Sequence, residues 1–102
     1  MASIKTVVQT TNKTTVVTAN YKNCIIQTVP LTDAAGTFFS FNVINKQFYP
    51  EQNIQVTPVY SGTGVPHVTL VSQTKWGFLV QVHNVGAAAF NAPLKINVSV
   101  IN

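Results

Sequence analysis

Between Leu94 and Val100 every second residue is apolar, with Leu94, Ile96, Val98 and Val100 alternating against Lys95, Asn97 and Ser99. A period of two puts each set on its own face of an extended strand, whereas a helix needs apolar residues three or four apart. The same period recurs along most of the chain, and helical spacing is nearly absent. Thr37–Ile44 sets Phe39, Phe41 and Val43 against Phe38, Ser40, Asn42 and Ile44, and Trp76–His83 puts Trp76, Phe78, Val80 and Val82 on one face. Gln52–Tyr60 places Ile54, Val56 and Tyr60 on one side; Pro58 within it marks an edge strand or a bulge, because proline has no N–H for a ladder. Ile4–Thr10 and Thr14–Thr18 flank Thr11-Asn12-Lys13 and read as strand, turn, strand, followed by Cys24–Val29, which Pro30 ends. With His67–Ser72 and the final strand, about eight strands arise, separated by turn signals every ~8–12 residues. This predicts an all-β fold: a single antiparallel β-sandwich, jelly-roll-like, occupying residues 1–102 as one domain. The last strand is expected to lie inside a sheet.

Such strands need a polar outer face, and here charge does not supply it. Six lysines and two acids are the only charged residues among 102, and arginine is absent. A typical domain is about a quarter Asp, Glu, Lys and Arg. The wetted face must come from Thr, Asn, Gln and Ser. The lysines (5, 13, 22, 46, 75 and 95) are evenly spread, so they form no concentrated basic face for nucleic acid. Dispersed lysines also keep strand edges from pairing with strangers. The longest apolar run, Val85–Phe90, is far short of the ~20 residues that span a bilayer. The N-terminal Met1-Ala2-Ser3-Ile4-Lys5 lacks the features of a signal peptide, so synthesis without secretion is expected. The single cysteine, Cys24, stands beside Ile25 and Ile26 and reads as a small buried hydrophobe.

Catalytic chemistry has little to work with. Asp33 and Glu51 are the whole acidic inventory: one sits in a loop of turn composition, where it can cap backbone amides, and the other follows Pro50. His67 and His83 read as strand-end residues, and two histidines fall short of the three or four ligands of a zinc site. No serine stands in a nucleophile elbow, and Gly62-Thr63-Gly64 is too short for a phosphate loop. The chain is therefore read as a non-enzyme without cofactor or metal.

Low charge points instead to assembly, since charged residues are depleted at interface cores. Candidate assembly contacts are Val7 and Val16 in the Val/Thr-rich N-terminal segment, and Val85, Ala87, Ala88, Ala89 and Phe90 in an apolar loop between two strong strands. Consecutive Phe48-Tyr49 cannot both face inward on a strand. A second candidate set, for a carbohydrate ligand, is Tyr49, Asn53, Tyr60 and Trp76, which combines aromatic and amide groups.

The C-terminal half has a further cadence: Ile54-Gln55-Val56-Thr57-Pro58, a glycine turn, Val68-Thr69-Leu70-Val71-Ser72, then Gly77-Phe78-Leu79-Val80-Gln81-Val82-His83-Asn84-Val85-Gly86-Ala87 and a last strand. It resembles the β-sandwich modules of tailed-phage virion proteins, which include head decoration (cement) proteins and tail-fibre tips. The resemblance covers about half of the chain, and a stand-alone decoration protein is expected over a fibre, whose pattern includes an upstream shaft or coiled-coil trimeriser. It implies a non-enzymatic capsid decoration subunit on the virion surface, made in the host cytoplasm, with itself (a trimer favoured) and a major capsid protein or other virion protein as partners. The alternative it implies is a lectin-like or tail-fibre module that binds a glycan. Neither nucleic acid nor membrane is expected as a partner. A solvent-facing aromatic in a concave polar patch would favour glycan binding, and a flat apolar patch would favour assembly.

Overall fold

The alternating segments become eight strands in the computed structural model, which describes residues 5–46 and 53–101. They are β1 (Lys5–Val8), β2 (Val17–Thr18), β3 (Asn23–Gln27), β4 (Phe38–Ile44), β5 (Asn53–Val59), β6 (Pro66–Thr74), β7 (Gly77–Asn84) and β8 (Lys95–Ile101). One four-stranded sheet has the order β1-β3-β8-β5 and the other β2-β4-β7-β6. Their inner faces share one apolar core, with Ile26, Ile96 and Val98 from the first sheet meeting Phe39, Phe41, Val43, Phe78, Val80 and Val82 from the second. The predicted all-β sandwich of eight strands is thus the observed architecture.

Two details of the expected pairing differ. The sheets are mixed rather than wholly antiparallel, because β1 runs parallel to β3 and β2 parallel to β4. What remains of a jelly roll is eight strands in two sheets of four. The two segments read as strand, turn, strand do not pair with each other, and Gln9 braces the loop between them. Its buried amide donates to the carbonyls of Lys13 and Thr15 at 2.9 Å each. The chain leaves the first sheet after β1, adds β2 to the second, and returns through residues 19–22 to start β3 alongside β1. Trp76 is the other departure. It sits in the tight β6–β7 turn with φ of 70°, exposed, while Phe78, Val80 and Val82 take the buried face alone.

Pro58 lies in β5, an edge strand, where its missing N–H leaves no ladder bond unmade. The bulge falls in β6 instead, where the register shifts between Leu70 and Ser72 and leaves Val71 outside. The last strand, β8, is central, between β3 and β5.

A polar residue closes the core at the end of four strands. Each continues the inward alternation by one step: Val7 to Gln9, Ile26 to Thr28, Val43 to Asn45 and Val82 to Asn84. At these positions the chain leaves the ladder, and the side chain takes over backbone groups that would otherwise be buried without partners. Asn45 donates to the Tyr21 carbonyl at 2.7 Å, and the Thr28 hydroxyl donates to Val29 O and accepts from Leu94 N. Asn84 uses its full capacity. Its Nδ2 donates to Asp33 O at 3.2 Å and Ala88 O at 2.8 Å, and its Oδ1 accepts from Val65 N at 3.3 Å and Gly86 N at 3.1 Å. Its own backbone N–H donates to Thr37 O, and its carbonyl accepts from Gly36 N.

Asn84→Ala removes four hydrogen bonds at once, leaving Ala88 O, Val65 N and Gly86 N without that partner while Asp33 O keeps Phe90 N, and is expected to cost about 3 kcal/mol, lowering Tm by more than about 10 °C. Asn42→Ala on the outer face of β4 should change stability by no more than about 0.5 kcal/mol. Thermal and urea melts of the two variants against the native chain check the contrast.

Candidate functional site

Strand direction divides the sandwich into two ends. The loops 28–37, 60–65 and 85–94 gather at one, which we call the crown, while residues 19–22 and the Lys75–Trp76 turn lie at the other.

Hydrogen bonds fuse the crown loops. The Tyr60 hydroxyl donates to Thr63 O at 2.6 Å and accepts from Asn91 N at 2.9 Å, and Asn91 Oδ1 accepts from Thr63 N at 2.8 Å. Thr63 Oγ1 donates to Ala89 O at 2.6 Å, and Val85 N to Val65 O at 2.9 Å. The Tyr60 ring meets Phe90 edge-on, with centroids 5.3 Å apart. Gly64, at φ of 85°, lets the two loops touch: a Cβ there would stand 2.9 Å from both Ala88 O and the Phe90 ring. The third loop joins through Asp33, whose carbonyl accepts from Phe90 N at 2.9 Å. Its carboxylate, expected to cap local amides, instead pairs with Lys13 Nζ at 2.6 Å, while its other oxygen, Oδ1, is buried without a protein partner. Lys13 also stands 5.4 Å from the Phe39 ring centroid, so this one side chain holds the 9–16 loop against the crown.

Five apolar residues are exposed on these joined loops, beside the exposed polar Ser61, Thr63 and Asn91. Val65 and Val85 are each 53% exposed, and Ala87, Ala88 and Ala89 are exposed too. Phe90, expected among these contacts, points the other way and is only 3% exposed. The expectation failed because the Asn84 and Asp33 bonds turn the chain inward at that point. Val7 is half-buried against the core, and Val16 is exposed on the second sheet rather than at the crown.

At the opposite end, an open groove of about 410 Å³ runs over the second sheet. Val16, Asn42, Ile44, Ser72, Thr74 and Trp76 are among the residues that line it, so apolar groups stand beside an amide and two hydroxyls. Trp76 is 47% exposed, and the ammonium of Lys75 sits 4.7 Å from its ring centroid. Positive φ at a bulky non-glycine residue is uncommon and costs about 1–2 kcal/mol. The surrounding bonds hold it there, since the Trp76 carbonyl accepts from Asn45 N at 2.9 Å.

The proposed carbohydrate set is not brought together. Tyr60 belongs to the crown, with its hydroxyl committed to the loops, and Trp76 lies beyond the far end of β6. Nine strand residues separate those ends, roughly 30 Å of extended chain. Asn53 is exposed at the start of β5, on the first sheet, and does not line the groove; Tyr49 and Glu51 lie outside the described residues. Cys24 is buried, and that burial pushes its thiol pKa up, away from thiolate chemistry. Among the described residues, no three His, Cys, Asp or Glu side chains cluster as metal ligands. No family model, curated protein or solved structure matches the chain.

The role of the crown turn can be tested by comparing two glycines that share positive φ. Gly64→Ala meets both the backbone conformation and the contacts of Ala88 and Phe90, whereas Gly36 has nothing within 4 Å of a built Cβ. Gly36→Ala should cost about 1 kcal/mol from its conformation alone, and Gly64→Ala clearly more. Chemical denaturation of both, with amide exchange at Val85 and Thr63 as the local readout, distinguishes the two effects.

Proposed function

We propose that this chain is a non-enzymatic structural protein of a virion, a decoration or cement subunit that oligomerises and clamps neighbouring capsomers. A trimer on the capsid surface, docked on a major capsid protein, fits the reading best. The observation that carries it is the crown: exposed apolar residues on loops that hydrogen bonds join to one another. Exposed Val65, Val85 and Ala87–Ala89 on such a frame need less further ordering when they bind, which lowers the entropic cost of association. The scarcity of charge supports it too, because interface cores are depleted of charged residues. Clamping requires a stiff body between two contact points, and the shared core of two sheets provides one.

Light scattering across a concentration series should give a closed oligomer for the native chain. Val85→Lys combined with Ala87→Glu should yield a monomer and lose capsid incorporation, with Tm within a few degrees of native. A variant that still assembles and incorporates overturns the assignment.

One observation favours a second reading, a glycan-binding module. Trp76 holds a strained conformation at the rim of a groove that also presents Asn42, Ser72 and Thr74, and strained residues concentrate at functional positions. In this reading the ring stacks on a sugar face, and the amide and hydroxyls take its hydroxyl groups. Trp76→Gly should keep stability or raise it by about 1 kcal/mol by relieving the positive φ, while abolishing retention on a glycan array. Undiminished array binding by this variant removes the groove from consideration.

A further inference from the structure

The outer face of the second sheet carries a constellation that neither reading above uses. His67 on β6 and His83 on β7 are directly opposed in the antiparallel ladder. Both belong to the outward alternation. On β7, Phe78, Val80, Val82 and Asn84 are buried while His83 is half-buried on the other side, and on β6 the core takes Val68 and Leu70 while His67 is exposed. Directly opposed residues of an antiparallel pair place their Cβ atoms about 4.5–5.5 Å apart on the same face. Two imidazoles rooted at that separation can converge on one cation at the usual nitrogen–metal distance of about 2.0–2.1 Å.

The flanks of the pair suit such a site. Phe38, the partner of His83 on β4, stands edge-on to that imidazole, with ring centroids 5.9 Å apart and planes at 83°. Its ring covers one side of His83 and limits the directions in which the imidazole can turn. One row inward, Gln81 opposes Thr69, so an amide and a hydroxyl face the same side. Imidazole is a ligand of borderline softness that suits copper, nickel and zinc over magnesium or calcium.

We propose that His67 and His83 form a two-histidine clamp for a divalent transition-metal ion. Among the described residues no third His, Cys, Asp or Glu completes the set, so the remaining coordination positions are open to water or an exogenous ligand. Bound metal ties β6, an outer strand of its sheet, to β7 and stabilises the native state by linkage. The proposal rests on the ladder register and is independent of what the crown or the groove binds.

The test titrates the full-length chain with copper(II), nickel(II) and zinc(II) salts separately, by calorimetry and by thermal melts, beside His67→Asn and His83→Asn. Expected are one metal per chain, copper bound most tightly, a raised Tm on metal addition, and a copper(II) spectrum showing two coordinated nitrogens. Each substitution should weaken binding by at least the roughly 10–100-fold that loss of a mere outer partner costs at metal sites, and should remove the Tm rise. Both side chains project outward, so circular dichroism of the variants should match native. If the variants misfold, the nitrogen count in the native copper spectrum decides the matter alone. No binding at millimolar metal, a spectrum with fewer than two nitrogens, or binding that survives either substitution overturns the proposal.

Discussion

Asn84 adds no apolar surface to the core, yet the arrangement of one whole end of the molecule runs through its amide. Two donors and two acceptors, all used, join three loops that are distant in sequence and share no ladder. The constraint behind this is general: a sandwich must let its chain leave the sheets, and each departure buries backbone groups that have just lost their strand partners. Gln9, Thr28 and Asn45 meet the same constraint at other strand ends. The interior is therefore closed by neutral amides and a hydroxyl rather than by charge, avoiding the desolvation cost of buried ions. Asp33 with Lys13 is the one ion pair among the described residues, and it too sits where loops converge.

The same economy of charge shapes the exterior. Outer positions of the second sheet hold Ser40, Asn42, Thr69 and Gln81, so the sheet faces water through hydrogen-bonding groups without strong fields. Aromatic rings are set at opposite ends of that face, Phe38 beside His83 and Trp76 over the groove. The crown lies at one end of the sandwich and the groove at the other. A body that clamps neighbours would use the first, and a body that reads a glycan would use the second. The two proposals make separate demands on separate residues, and the histidine pair makes a third.

Much of the fold was legible from alternation alone, because burial on a strand follows a strict period of two. Phe39, Phe41 and Val43 fell inward as that period requires, and of the edge strand or bulge that Pro58 marked, the edge strand is the one found. The same rule, carried one step past the apolar residues, would have found Asn84 and Asn45, since both sit in phase with the buried positions. Their polarity hid them: a polar residue at a strand end looks like the start of a loop. Phe90 was misplaced for the complementary reason. Inside an irregular loop no periodicity tells an inward ring from an outward one, and only the bonds from Phe90 N to Asp33 and from Asn84 to Ala88 turn it into the core.

By itself, then, the sequence determined the strands, most of their inward faces and the neutral character of the surface, because these follow from local period and composition, while Pro58 left β5 as either an edge strand or a bulge. Only the tertiary structure decided which strands are neighbours. The parallel pairing of β1 with β3 goes together with Gln9 bonding the carbonyls of Lys13 and Thr15 in the connecting loop. It also decided what meets across the ladder: His67 and His83 are sixteen residues apart in the chain and become partners through the register of β6 on β7. Contacts of that kind are set by long-range hydrogen bonding and packing, and no local pattern encodes them.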